Sequence, residues 1–226
     1  MEFRSILIDI DDTLFDFGIA ERVAISKAYR DYGIEPTEER LARYSAINIA
    51  QWEAMERGEL TRDQVLLRRH ELFFAELGVQ IPIQEFEDRY RGYLGVGHYF
   101  VDGAEELLEY LHGKYDLYVA SNGVAETQYS RMASAGIGKY FKAVFISETT
   151  GSHKPEKAYF DYCFARMEHF DPETTMIIGD SLTSDIKGGL DAGIKTCWYN
   201  PKGKPGRADI VPHYEIRDLK EIQTIL

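Results

Sequence analysis

An α/β fold, in which a parallel sheet is covered by helices and interrupted by a helical insertion, is what this 226-residue sequence predicts. Three observations point to it. Short β-branched runs alternate with amphipathic helical stretches, the pattern of strands joined by crossover helices. Four of five such runs end in, or are followed by, a polar cluster, and open α/β sheets bind ligands just beyond the carboxyl ends of their strands. One long stretch, residues 18–97, breaks the alternation and carries helical periodicity alone.

Taken in chain order, the first strand is expected over Phe3 to Ile10, within ILIDIDDTLFD (6–16), whose apolar run ends on Asp9, Asp11, Asp12 and Asp16. Crowded carboxylates repel and lose hydration at the edge of a core, so something must offset that cost. In the insertion, Leu41, Tyr44, Ile47 or Asn48, Trp52 and Met55 fall at three- and four-residue steps. Val65, Leu66 or Arg69, Leu72 and Phe73 do the same, behind a Thr61–Gln64 capping box. The exit is RGYLGVGHYFVDG (91–103), with Asp102 expected to cap a helix together with Glu105. Further strands are expected at Leu117 to Ser121, Ala143 to Ser147, Thr175 to Gly179 and Thr196 to Tyr199, and Pro155 suits the first turn of a helix.

With 44% hydrophobic and 28% charged residues and only 7 Pro, the composition is that of a soluble globular chain, not a disordered one. The net charge of −12 should repel DNA or RNA, which excludes a nucleic-acid polymer as the expected partner. The apolar start is cut short at Asp9, too soon for a secretory signal or membrane span, so no membrane partner and a cytoplasmic location are expected. Cys163 and Cys197 lack CxxC spacing and are read as buried free thiols. Nothing in the sequence specifies an oligomeric state.

Four stretches carry chemistry. Asp9-Ile10-Asp11-Asp12-Thr13 closes the first strand; it is not a calcium loop of the EF-hand type, because Leu14 stands where Gly is needed and Ala20 where Glu is needed. Val119 to Gly123 brings Ser121 and Asn122 to a strand end, Gly151 to Pro155 brings Lys154, and Met176 to Asp185 brings Asp180 and Asp185. Each has a structural alternative: an Asp-rich turn, a helix start, a surface lysine, a turn former. Placed after successive strands, however, they would converge. Clustered carboxylates on rigid strand ends suit Mg²⁺, a hard cation that prefers oxygen, and the cation with Lys154 would offset the repulsion among the acids.

DIDDT (9–13), SN (121–122), KP (154–155) and GDSLTSD (179–185) together resemble the four motifs of the haloacid dehalogenase superfamily, in a match that runs the length of the chain. The resemblance implies a Rossmann-like core over residues 1–17 and 98–226 and a helical cap domain of the C1 type over 18–97. It implies that Asp9 is a nucleophile forming an aspartyl phosphate and that Asp11 is the general acid and then base. It implies Mg²⁺ held by the side chains of Asp9 and Asp180 and the backbone carbonyl of Asp11, with Asp185 behind them orienting water or Lys154. Ser121 and Lys154 would bind the phosphoryl group, helped by backbone N–H groups around Ile10 and Asn122, and Thr13 would support the loop.

Because Asp11 is present, phosphate ester chemistry is expected rather than attack on carbon; a phosphomutase shares Asp11 and stays open. Residues 47–65, 101–111, 121–132, 179–201 and 212–219 are similar to the bacterial pyrimidine 5′-nucleotidase subgroup, including enzymes of noncanonical nucleotides. That implies a nucleoside monophosphate substrate, with phosphoglycolate or sugar phosphates as the alternative and a non-catalytic binding protein as a third reading. Asn48, Trp52 and Tyr99 are candidates to contact the leaving group, although Trp52's periodicity also suits a core position; Gly123 and Gln128 could line the pocket. Asp16 is read as a solvated turn.

Overall fold

The computed structural model describes residues 3–226. Its centre is a six-stranded, all-parallel sheet made of β1 (Ser5–Ile8), β2 (Asp116–Ser121), β3 (Ala143–Ile146), β4 (Thr175–Gly179), β5 (Lys195–Tyr199) and β6 (Tyr214–Ile216), in the order β3-β2-β1-β4-β5-β6. This is the α/β architecture the alternating pattern predicts, and the Rossmann-like core the resemblance implies. The four strands β1, β2, β4 and β5 are apolar almost throughout because both faces of the sheet are covered. Ile6, Ile8, Leu117, Val119 and Ile178 face one side, under Leu107, Leu108 and Leu111; Leu7, Tyr118, Ala120 and Ile177 face the other, under Tyr159, Phe160 and Cys163.

Strand order reverses between β1 and β4, whose register runs Ser5–Thr175 to Ile8–Ile178. Loops leaving neighbouring strands there diverge in opposite directions and open a crevice at their carboxyl ends. β1 is shorter than Phe3 to Ile10, although Asp9 N–H still donates to Ile178 O at 3.0 Å. β6 lies outside the strands expected from sequence; only three residues long, it alternates too briefly to register as a strand.

Between β1 and β2 the chain forms α1 (Phe17–Asp31), α2 (Glu38–Glu56), α3 (Arg62–Leu77) and α4 (Ile83–Leu94). They enclose an aromatic core of Tyr29, Tyr44, Phe73, Phe74, Phe86 and Tyr90, in which Tyr29 stacks on Phe73 at 5.3 Å. The expected Thr61–Gln64 capping box opens α3. Asp16 is no solvated turn: its Oδ1 accepts Ile19 N–H at 2.8 Å and caps α1. Leu72, read as an apolar-face position, is exposed, and the core takes Phe73 and Phe74 instead.

The remaining helices are α5 (Ala104–Leu111), α6 (Ala125–Ala135), α7 (Ser147–Thr150), α8 (Lys157–Phe164), α9 (Lys187–Asp191) and α10 (Ile222–Ile225). Asp102 does not cap α5; Gly103 holds that position at φ 82°, which favours glycine, with no side-chain cap. Pro155 lies in the His153–Glu156 turn ahead of α8 rather than in its first turn. Among the described residues no helix is long and apolar enough to cross a membrane. Cys163 and Cys197 are buried and free, as expected.

Candidate active site

β1 delivers Asp9 and β4 delivers Asp180 at the point where strand order reverses; the π-helical turn Leu182–Ile186 that follows β4 folds Asp185 back over Gly179. That fold-back requires glycine: a Cβ at Gly179 would collide with the Asp185 carboxylate. Asp9, Asp180 and Asp185 each present an oxygen within 4.8 Å of the other two. Lys154, brought in by the turn before α8, is buried among them. Its Nζ donates to Asp9 Oδ1, Asp185 Oδ1 and Ala120 O, each at 2.6 Å.

The buried ammonium does not balance this charge, and the only other cation at these three carboxylates among the described residues, the exposed Lys204 Nζ, donates to Asp180 Oδ2 at a long 3.4 Å. Burial pushes the Asp9 carboxyl well above the usual carboxylate range; Lys154 opposes the rise, and Asp185 and Asp11 add to it. Asp180 is pushed up to about 7, first by burial, then by Asp185 and Asp12. Burial alone would lower the Lys154 ammonium, but Asp185 and Asp9 outweigh it and hold it above its ordinary value. A rigid, all-oxygen donor set with surplus negative charge fits a hard divalent cation. Both oxygens of Asp185 already have partners, Lys154 Nζ on one and Ser181 N–H at 3.1 Å on the other.

The sheet's other half supplies Ser121 and Asn122 from the end of β2. Ser121 Oγ accepts from Gly123 N–H at 3.1 Å and from Gln128 Nε2 at 2.9 Å, so both its acceptor sites are filled and its proton is left to donate. Asn122 uses its side chain on the Lys154 backbone, donating to Lys154 O and accepting Lys154 N–H, both at 2.9 Å. The Asn122 side chain therefore braces the lysine. Asp11 turns away from the acid cluster: Gln128 Nε2 donates to its Oδ2 at 2.7 Å, and Arg131 Nη1 to its Oδ1 at 2.5 Å.

A cavity of about 300 Å³ connects these groups with the helical insertion. On the core side lie Asp9, Asp11, Ser121, Lys154, Asp180 and Asp185; on the other, Ile49, Trp52, Leu66 and Leu94 make an apolar patch among Asn48, Glu53, Glu56, Arg69 and Arg91. Gly123 and Gln128 line it, as expected, and Trp52 faces the cavity rather than the core. Tyr99 is not among the lining residues. Asn48 is committed, donating to Glu21 at 2.6 Å and accepting from Arg69 at 3.0 Å. Among the bonds that hold the insertion against the core, Thr183 Oγ1 donates to Glu56 at 2.7 Å, Arg62 donates to Ser147, and Arg131 Nε donates to Gly97 O at 2.7 Å.

Sequence reasoning missed Arg131, Glu56 and Arg69. Gln128 and Arg131 carried the one available signal, a three-residue spacing that puts two polar side chains on one face of a helix directly after a motif.

The model of the haloacid dehalogenase-like hydrolase family matches residues 3–193. YfnB of Bacillus subtilis, named as a HAD-hydrolase, is 45% identical over 99% of this chain and 95% of its own. A YfnB crystal structure, described as bound to magnesium, superposes with a TM-score of 0.96 at 44% identity, covering 100% of this chain and 99% of that one. The pyrimidine 5′-nucleotidase PynA of Streptococcus pneumoniae is 33% identical over 98% of this chain and 94% of its own. YjjG of Escherichia coli, also a pyrimidine 5′-nucleotidase, is 28% identical over 100% and 99%. With strand-end carboxylates, lysine and serine in this arrangement and relatives matched from end to end, the chain belongs to the haloacid dehalogenase-like hydrolases.

Proposed function

We propose that this hydrolase cleaves phosphomonoesters with Mg²⁺ through an aspartyl phosphate on Asp9, and that its substrates are pyrimidine nucleoside 5′-monophosphates. The observation that carries the reading is the convergence of Asp9, Lys154, Asp180 and Asp185 on one wall of a cavity whose opposite wall carries an apolar patch. A charged floor suits a phosphoryl group, and a patch of Trp52, Ile49, Leu66 and Leu94 suits a flat, weakly polar leaving group such as a nucleoside.

In this mechanism the Asp9 carboxylate attacks phosphorus in line while Asp11 gives a proton to the departing 5′-oxygen; Asp11 then takes a proton from the water that hydrolyses the acyl phosphate. Lys154 Nζ, Ser121 O–H and the Asn122 backbone N–H hold the phosphoryl oxygens. Asp9 and Asp180, with the backbone carbonyl of Asp11, would hold Mg²⁺, and Asp185 would orient Lys154. When bound, the cation polarises the phosphoryl group and neutralises its charge. Residues 18–97 act as the cap, and Glu56–Thr183 and Arg62–Ser147 seat it over the cavity.

PynA and YjjG, named for pyrimidine nucleotides and similar along nearly the whole chain, support the substrate assignment. The magnesium-bound relative supports the cation. Phosphate release from pyrimidine and purine nucleotides, sugar phosphates and phosphoglycolate, with Mg²⁺ or with a chelator, tests both. The expected result is the highest kcat/KM on pyrimidine nucleotides and its loss with chelator. A preference for phosphoglycolate or a sugar phosphate would overturn the substrate, and no release from any ester would overturn the activity.

A further inference from the structure

Asp11 is held by a device that no catalytic motif contains. Helix α6 directs Gln128 and Arg131, three residues apart on one face, at its carboxylate; Gln128 Nε2 takes Oδ2 at 2.7 Å and Arg131 Nη1 takes Oδ1 at 2.5 Å. The two donors also fix each other, because Arg131 Nη1 donates to Gln128 Oε1 at 3.0 Å and so sets which end of the amide faces Asp11. Arg131 is itself immobilised. It is 1% exposed, its Nε donates to Gly97 O at 2.7 Å, and its guanidinium lies 5.1 Å from the Phe15 ring centre.

The Asp11 side chain is 30% exposed to the cavity and would otherwise swing. An acid that protonates a leaving oxygen works only when aimed, and misplacement by an ångström costs about 10²-fold. We propose that Gln128 and Arg131 are positioning residues that aim the Asp11 carboxylate at the leaving oxygen, with the guanidinium, anchored on Gly97 and Phe15, as the rigid reference. This rests on the reading of Asp11 as the acid and base. The competing account is that Arg131 ties the end of the insertion to α6 and has no further effect on the reaction.

The test compares kcat/KM on a pyrimidine nucleoside monophosphate with kcat/KM on 4-nitrophenyl phosphate. The alkoxide of the first needs a proton to leave; the nitrophenolate of the second does not. Asp11→Asn should lower the ratio by about 10²-fold or more. Gln128→Met and Arg131→Met should each lower it by roughly tenfold. Neither should lower it further in the Asp11→Asn background, because both act through Asp11.

Using the ratio removes any weakening of phosphate binding that follows when Ser121 loses its Gln128 donor. Gln128→Met, close in volume, carries the test if Arg131→Met folds poorly. Equal losses on both esters, or an undiminished effect in the Asp11→Asn background, would overturn the positioning role while leaving Asp11 as the acid. No ratio change in Asp11→Asn alone would overturn the acid role, and the positioning role with it.

Discussion

Lys154 Nζ stands 2.6 Å from Asp9 Oδ1 and donates at the same distance to Asp185, so a single buried ammonium joins the end of β1 to the turn after β4. Removing one partner of a buried charge set leaves the others uncompensated. Lys154→Met should therefore lower unfolding free energy by about 3–5 kcal/mol, read by urea denaturation of the chelated protein. A loss below about 1 kcal/mol would place the ammonium in a far wetter setting than its burial implies.

On the proposed reading, the same imbalance should make the folded state a receptor for Mg²⁺. Thermal unfolding should shift upward with Mg²⁺, reaching about 2.7 kcal/mol of added stability at a hundred times the dissociation constant. Asp180→Asn should abolish most of the shift. An equal shift in that variant would remove Asp180 from the cation site.

Gly179 is where Asp185 folds back onto the strand end, with no room for a Cβ. Gly179→Ala should cost about 1–3 kcal/mol in stability, as overpacking does. It should also reduce turnover by displacing Asp185 from Lys154. Unchanged melting and activity would show that the turn after β4 is loose.

A pH effect should come from the insertion, well away from the cavity floor. Buried His70 donates Nε2–H to Glu87 at 2.6 Å, and Arg69 donates to the same carboxylate at 2.7 Å. Burial lowers His70 to about 4 from 6.5, so as pH falls the unfolded chain takes up that proton first. The stabilisation is complete above pH 6.5 and is lost towards pH 4, by about 3 kcal/mol over that window. Glu87, held below its ordinary value against burial by Arg69 and His70, extends the loss to lower pH. Denaturation midpoints between pH 7 and 4 check this; His70→Phe should flatten the upper part of the curve.

Most of the site was legible because its residues follow strands in sequence. Asp9, Ser121 and Asp180 sit at the ends of apolar runs that could only be buried strands, and strand order brings such ends together. Arg131 was hidden because its bond to Asp11 spans 120 residues and depends on how α6 packs, which no local pattern encodes. The bracing of Lys154 by the Asn122 side chain was hidden for the same reason, since it joins residues 32 positions apart. Trp52 obeyed helical periodicity and still faced the cavity, since the apolar face of α2 serves both the insertion's core and the wall opposite Asp9.

The most direct test of the central claim is turnover of a pyrimidine nucleoside monophosphate by Asp9→Asn in saturating Mg²⁺, with the folded state checked by its melting curve. The amide is no nucleophile, so kcat should fall by at least about 10³-fold while the protein stays folded. Turnover within a few-fold of the parent protein would contradict covalent catalysis at Asp9.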